Sequence, residues 1–445
     1  MAKTIIGRLA RLIVVIVLLA AGAALLFRVP HRPLRTPMDG QPAAPVTTSQ
    51  QRIAEDEAHR DAVRQAAVEN HGRFRVGIVE FDDQGRFWSR RQYDQVIADL
   101  RAVYRANNGV QTLVFAHGWK HSAAVCDPNL ACFRDLLASF GEQEGESGRP
   151  VYGIYVGWRG ASIKAPVLKE LTFWGRKETA HRIGTGDVVE LLATLEAIHR
   201  QEREESPSTR LTTIGHSFGG AVVYSALSGS LKERLAVHIA TPADRRRLFV
   251  GFGTLTLLVN PAFEATRYDG IDRMLAISPG VFDVRNPRVV VTVASEGDTA
   301  TRYLFPVGRW LSTLLQSSRD RGQTSQMLRT IGNYSDFATH RLDAPSRPGG
   351  TEDAGTQSEC LCRINMRQAL SGDSALRMEA PASGEEEFFG STRLTTIADN
   401  PQAKSPLIVV RADRGVIADH SDIWSRKFVE FLGSMITRTD ALLAR

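Results

Sequence analysis

Cysteine is scarce in this chain, with four residues in 445. That excludes a disulfide-framed scaffold, in which dense cross-links replace a core. Cys126 and Cys132 stand close together, as do Cys360 and Cys362, but these spacings with no nearby histidine match no common zinc site. The first pair either closes a small loop or remains as two free thiols. Internal repeats are absent, and so is a basic, aromatic-interleaved patch in the body of the chain. The net charge of +6 belongs to the N-terminus. Residues 1–35 hold Lys3, Arg8, Arg11, Arg28, Arg32 and Arg35 and no acid, so the other 410 residues balance at 49 basic and 49 acidic. The overall basicity therefore does not point to nucleic acid.

Long apolar runs are also rare, with one exception. Leu12–Phe27 is 16 uninterrupted apolar residues between Arg11 and Arg28. This exceeds the core of a signal peptide. With Leu9, Ala10, Val29 and snorkelling arginines it reaches the ~20 residues of a membrane span. Ala21-Gly22-Ala23 fits a cleavage site, but Leu25-Leu26-Phe27 continue the run past it. The expectation is an uncleaved N-terminal membrane anchor, with a cleaved signal peptide as the alternative. A short N-terminus that stays inside places the rest of the chain on the extracytoplasmic, or periplasmic, side.

Strands and helices alternate through the remainder, which predicts an α/β fold with a mainly parallel sheet. Phe74–Phe81, Gln111–Ala116, Pro150–Trp158, Arg210–Ile214, Thr254–Val259, Arg288–Ala294 and Pro406–Arg411 read as strands. Helices are expected near 50–70, 93–107 and 178–204 and after Trp424. Residues 33–48, rich in Pro, Thr and Ala, read as a linker.

The richest segment is Arg210–Gly220, RLTTIGHSFGG. A β-branched strand runs into Gly215-His216-Ser217-Phe218-Gly219, and a helical stretch follows at once. This is G-x-S-x-G between a strand and a helix, where a serine is lifted onto a sharp turn. Upstream, the strand at 111–116 ends in His117-Gly118-Trp119. Downstream, the strand at 288–294 ends in Ser295-Glu296-Gly297-Asp298, where Gly297 permits a turn that aims Asp298 back over the sheet. Beyond the last strand, His420 lies in a polar loop before an amphipathic C-terminal helix.

These motifs resemble the α/β-hydrolase superfamily, in its esterase/lipase-like branch. The resemblance covers about 73–302 and 406–440. It implies a serine hydrolase of carboxylic esters, with Ser217 as nucleophile, His420 as base and Asp298 as acid. It further implies an oxyanion hole made of the backbone N–H groups of Trp119 and Phe218. Glu296 and Glu264 compete with Asp298 for the acid, and Asp298 could instead cap a helix beginning near Thr299. No metal or organic cofactor is required. A thioesterase, acyltransferase or phospholipase would use the same residues. A non-catalytic scaffold at the membrane is the reading from another class.

The expected organisation is an anchor at 1–35, a linker and polar helix at 36–70, and a hydrolase core at 71–302. An insertion at 303–405 and the last strand, histidine loop and helix at 406–445 follow. Two stretches exceed a minimal core. Residues 161–177 carry Val167, Leu168, Leu171, Phe173 and Trp174 and could form a lid or acyl-binding wall. The insertion looks helical at Tyr303–Ser317 and Gly/Ser/Glu-rich at 345–387, where partial disorder is expected.

Overall fold

A computed structural model describes residues 14, 15, 22, 28–29, 31–37, 44–45, 57–144, 148–163, 172–241, 247–278, 280–282, 286–344, 386–397, 400 and 402–443. Twelve strands form one sheet in the order β1-β2-β3-β5-β4-β6-β7-β8-β12-β9-β11-β10. They are β1 (Ala44–Pro45), β2 (Val68–Asn70), β3 (Phe74–Phe81), β4 (Gln111–Ala116), β5 (Val151–Trp158), β6 (Arg210–His216), β7 (Leu255–Val259), β8 (Val290–Ser295), β9 (His340–Asp343), β10 (Glu386–Phe389), β11 (Thr392–Thr396) and β12 (Leu407–Ala412). From β3 through β12 to β9 every neighbouring pair is parallel.

Such a sheet must be covered on both faces, and the strands show it. Alternation along β4 sends Val114 and Ala116 into one apolar cluster and Leu113 and Phe115 into the other. The first cluster is closed by α2 (Arg90–Ala106), α5 (Val188–Glu205), α6 (Phe218–Ala240) and α7 (Asp269–Ala276). The second is closed by α3 (Pro128–Gln143) and α10 (Arg426–Leu443). The continuous β-branched character of the central strands follows from this double burial.

Several expectations change. The helix expected over 50–70 is confined, among the described residues, to α1 (Glu57–Arg64), and Val68–Asn70 pairs antiparallel with β3 instead. The single helix expected at 178–204 is two, α4 (Phe173–Gly184) and α5. They break where Gly186 passes Gly85; a Cβ there would lie 2.2 Å from the Gly85 carbonyl oxygen. The insertion is part of the sheet. It contributes β9, β11 and β10 beyond β12, preceded by α8 (Phe305–Ser312) and α9 (Arg321–Leu328). Residues 345–385 lie outside the described residues, as do Val167, Leu168 and Leu171.

The segment after the apolar run is not a free linker at its start. Arg28 bridges Ile163, and the Val29 N–H donates to the Ser162 carbonyl at 2.8 Å. Arg35 is buried. Its guanidinium pairs with Glu69 at 2.9 Å and donates to the Val63 and Ala123 carbonyls. Arg134 grips the same Glu69 through two nitrogens. Burial would raise the Glu69 carboxyl, but Arg134 and Arg35 together hold it well below the usual range.

Among the described residues no helix is long and apolar enough to cross a membrane. Apart from residues 14, 15 and 22, the Leu12–Phe27 run lies outside them. The two cysteines of α3 and its approach behave unlike either expectation. Cys126 is a free, exposed thiol, whereas Cys132, on the buried side of the helix, is disulfide-bonded to a partner outside the described residues.

Candidate active site

Parallel strands all end at one edge, so the loops after them converge there. Trp119 follows β4, Ser217 follows β6, Asp298 follows β8 and His420 follows β12. The turn after β6 is the tightest of these. Ser217 has φ 55° and ψ −118°, a left-handed conformation that strains any residue with a Cβ. The neighbouring glycine explains how the turn is accommodated. A Cβ on Gly219 would lie 1.9 Å from the Ala116 carbonyl oxygen. Ser217 caps α6 without using its side chain, which leaves Oγ available.

Ser217 Oγ lies 2.8 Å from His420 Nε2, and His420 Nδ1 lies 2.7 Å from Asp298 Oδ2. A carboxylate can only accept, so Nδ1 carries the proton and Nε2 accepts from the serine hydroxyl. Asp298 is fully buried and also accepts from the Thr301 N–H at 3.0 Å and the Thr301 hydroxyl at 2.6 Å. It therefore both caps the helical turn that follows and faces His420. Burial would raise its pKa, but attraction to the imidazolium form of His420 and the hydrogen bonds from His420 and Thr301 hold it below the ordinary value. Gly297 serves by close approach. A Cβ there would lie 2.0 Å from the Ala418 carbonyl oxygen, so the Asp298 and His420 loops can touch.

The two competing acids are engaged elsewhere. Glu296 pairs with Arg341 at 3.2 Å near the surface. Glu264 is buried with Lys177 at 2.5 Å, Arg309 at 3.1 Å and Arg267 at 3.2 Å.

The loop after β4 is fixed by His117. Its Nε2 accepts from the Trp158 N–H at 3.1 Å, and the Trp158 indole donates to the His117 carbonyl at 3.0 Å. Burial pushes the His117 imidazole down to about 4, so it is neutral. Gly118 lies against the turn, since a Cβ there would be 2.8 Å from that of Ser217. The Phe218 N–H is in the first turn of α6 and has no intrahelical acceptor.

Two residues outside the sequence reading position this assembly. Asn260, with φ 44° at the end of β7, donates through Nδ2 to the His420 carbonyl at 3.0 Å and accepts from the Ser295 N–H at 2.8 Å. It thereby joins the loops after β7, β8 and β12. His216 Nε2 donates to the same His420 carbonyl at 2.9 Å. Burial, and then His420, push His216 down to about 3. The signal for Asn260 is asparagine at a strand end, the residue type that best tolerates positive φ besides glycine.

An aromatic layer borders the serine. Phe173 packs on Phe218 with ring centroids 4.7 Å apart and on Trp119 at 5.2 Å; Trp174 packs on Phe305 at 5.5 Å. The described end of the 161–177 stretch packs its rings on Trp119, Phe218 and Phe305.

No protein-family model and no curated protein matches this chain. Among solved structures the chain is similar to "Trichoderma reesei cutinase in complex with a C11Y4 phosphonate inhibitor", at 16% identity, covering 47% of this chain and 76% of that one. The TM-score of 0.19 is too low for that likeness to carry an argument. By its own strands and helices, the chain is an α/β protein with a mostly parallel central sheet flanked by helices, compatible with an α/β-hydrolase.

Proposed function

We propose that this protein is an α/β-hydrolase-type serine hydrolase acting on carboxylic esters with an apolar acyl part. The observation that carries the reading is the strained Ser217 whose Oγ lies 2.8 Å from His420 Nε2, with His420 held by buried Asp298. In the reaction His420 Nε2 takes the Ser217 proton as Oγ attacks the ester carbonyl. Asp298 keeps the imidazole in the required tautomer and stabilises the imidazolium. The N–H groups of Trp119 and Phe218 receive the developing oxyanion, each contributing about 3–4 kcal/mol in comparable sites. His420 then returns the proton to the leaving alcohol, and water, activated by the same nitrogen, releases the acyl group. The aromatic layer of Phe173, Trp174 and Trp119 favours an apolar acyl chain over a charged one. Leu12–Phe27 serves as the membrane anchor, with the hydrolase body on the extracytoplasmic side.

Fluorophosphonate labelling of the full-length protein in detergent tests the reading. Label on the parent, none on Ser217→Ala and little on His420→Ala is the expected pattern. Equal labelling of parent and Ser217→Ala, or none on a folded parent, rejects it.

A further inference from the structure

A surface helix ordinarily turns its apolar stripe inward. The segment after Asp298 does the reverse. Of the thirteen large apolar side chains exposed among the described residues, seven lie between 303 and 315. Leu304, Val307 and Leu311 recur every three or four residues along the helix and the turn before it, which places them on one face, and just beyond the helix Leu314 is exposed and Leu315 fully so. Trp310 and Tyr303 widen the stripe. The inner side is held by other means. Phe305 is buried against Trp174, and Arg309 donates to the Met327 carbonyl at 3.1 Å while pairing with Glu264. An outward apolar face of this extent marks an interaction surface.

Its position connects it to the candidate site. The segment starts at Thr301, whose hydroxyl donates to Asp298, and its inner aromatic Phe305 continues the layer that reaches Phe218. The chain just after the apolar run lies at this same edge of the sheet. Arg28, the residue after Phe27, bridges Ile163 just beyond β5, and Arg159 donates to the Val29 carbonyl at 3.0 Å. The charges agree. Arg302, Arg319 and Arg321 are exposed around the stripe, and Asp320 is the one acid between 302 and 321. This combination of apolar stripe and arginine fringe suits an anionic phospholipid surface.

We propose that the 303–315 face beds into the headgroup–acyl boundary of a phospholipid bilayer, beside the Ser217 site, so that the ester substrate is drawn from the membrane. The source of the substrate rests on the ester-hydrolase reading; the docking itself does not.

The test uses full-length protein reconstituted in phosphatidylcholine/phosphatidylglycerol vesicles whose acyl chains are brominated. The Trp310 signal is the fluorescence difference between parent and Trp310→Phe. Quenching of about half or more of that signal by brominated lipid is expected for a ring at the acyl boundary. Leu311→Asp combined with Leu315→Asp should abolish the quenching. The same pair should slow hydrolysis of a bilayer-embedded ester about tenfold or more while turnover of a soluble butyrate ester stays within about twofold. Trp310 quenched by acrylamide but not by brominated lipid overturns the proposal, because the face is then in water. Trp310 shielded from both quenchers also overturns it, because protein then covers the face. Lipid quenching with no hydrolysis of any ester leaves the docking standing and rejects the ester-hydrolase reading instead.

Discussion

Past the ends of the neighbouring strands β7 and β8 stand two buried carboxylates, Glu264 and Asp298, and the bases that face them differ. Glu264 is surrounded by Lys177, Arg267 and Arg309, with His181 at 4.0 Å. Burial would raise its pKa, but the Lys177 and Arg309 charges outweigh that and bring it to about 2. Asp298 faces a single imidazole, with Thr301 satisfying its remaining oxygen sites. Three basic side chains from three segments converge on Glu264, so the cluster is a clamp between α4, α8 and the loop after β7. An imidazole has two ring nitrogens, so Asp298 on Nδ1 is linked through the ring to a proton exchanged at Nε2, where Ser217 Oγ lies. The same carboxylate chemistry gives a structural joint in one place and the proposed reactive site in the other, according to the base opposite.

Breaking the Asp298 side has the largest expected effect. Asp298→Asn keeps the shape but no longer fixes Nδ1–H, and ester turnover should fall about 10⁴-fold with little change in thermal midpoint. Initial rates on a soluble ester, beside a melting curve, decide this; a fall below about tenfold would remove Asp298 from the role proposed. Breaking the Glu264 side should do the opposite. Glu264→Gln leaves Lys177 buried among arginines and should cost about 3–5 kcal/mol of stability. Turnover per fluorophosphonate-titrated site should remain within about threefold, because Glu264 touches none of the reacting groups. Denaturant unfolding measures the first quantity, and a normal stability would show that the clamp contributes nothing.

pH sharpens the comparison further. The folded-state pKa of Glu264 is depressed, to about 2 from an ordinary 4.5, so the unfolded chain binds its proton first. Its stabilisation is therefore complete above pH 4.5 and is lost as the pH falls through about 2. Unfolding free energy should decline over that window by about 3 kcal/mol more in the parent than in Glu264→Gln. Parallel pH profiles would contradict the assignment. The smallest effect is expected at Asn260. Asn260→Asp sets an acceptor against the His420 carbonyl, and kcat should drop about tenfold with KM unchanged as the imidazole loses its alignment. A shift in KM alone would place Asn260 in substrate binding instead.

The sequence made some of this legible and hid the rest for physical reasons. Phe74–Phe81 is readable as a strand because apolar and other residues alternate at its start, Phe74-Arg75-Val76, and Ile78 and Val79 carry the β-branched character on. Ser217, Asp298 and His420 can be picked out because each follows a strand in a parallel sheet, where strand ends share an edge. The clamp on Glu264 is not readable, because Lys177 and Arg309 come from helices 87 and 45 residues away. β9 and β11 escape notice because four or five residues whose alternate positions are only partly buried or exposed carry little apolar periodicity. Gly297 is visible as a glycine, yet its reason, contact with Ala418, belongs to a loop more than a hundred residues later.

The buried cluster of Arg35, Glu69 and Arg134 bears on mechanics. Arg35 ties the chain emerging from the apolar run to β2 and α3, and the Leu34 and Arg35 N–H groups are fastened to Glu80 on β3. A joint of this kind cannot swivel. Tension or torque applied at Leu34 and Arg35 passes directly into the sheet through Glu80 and Glu69.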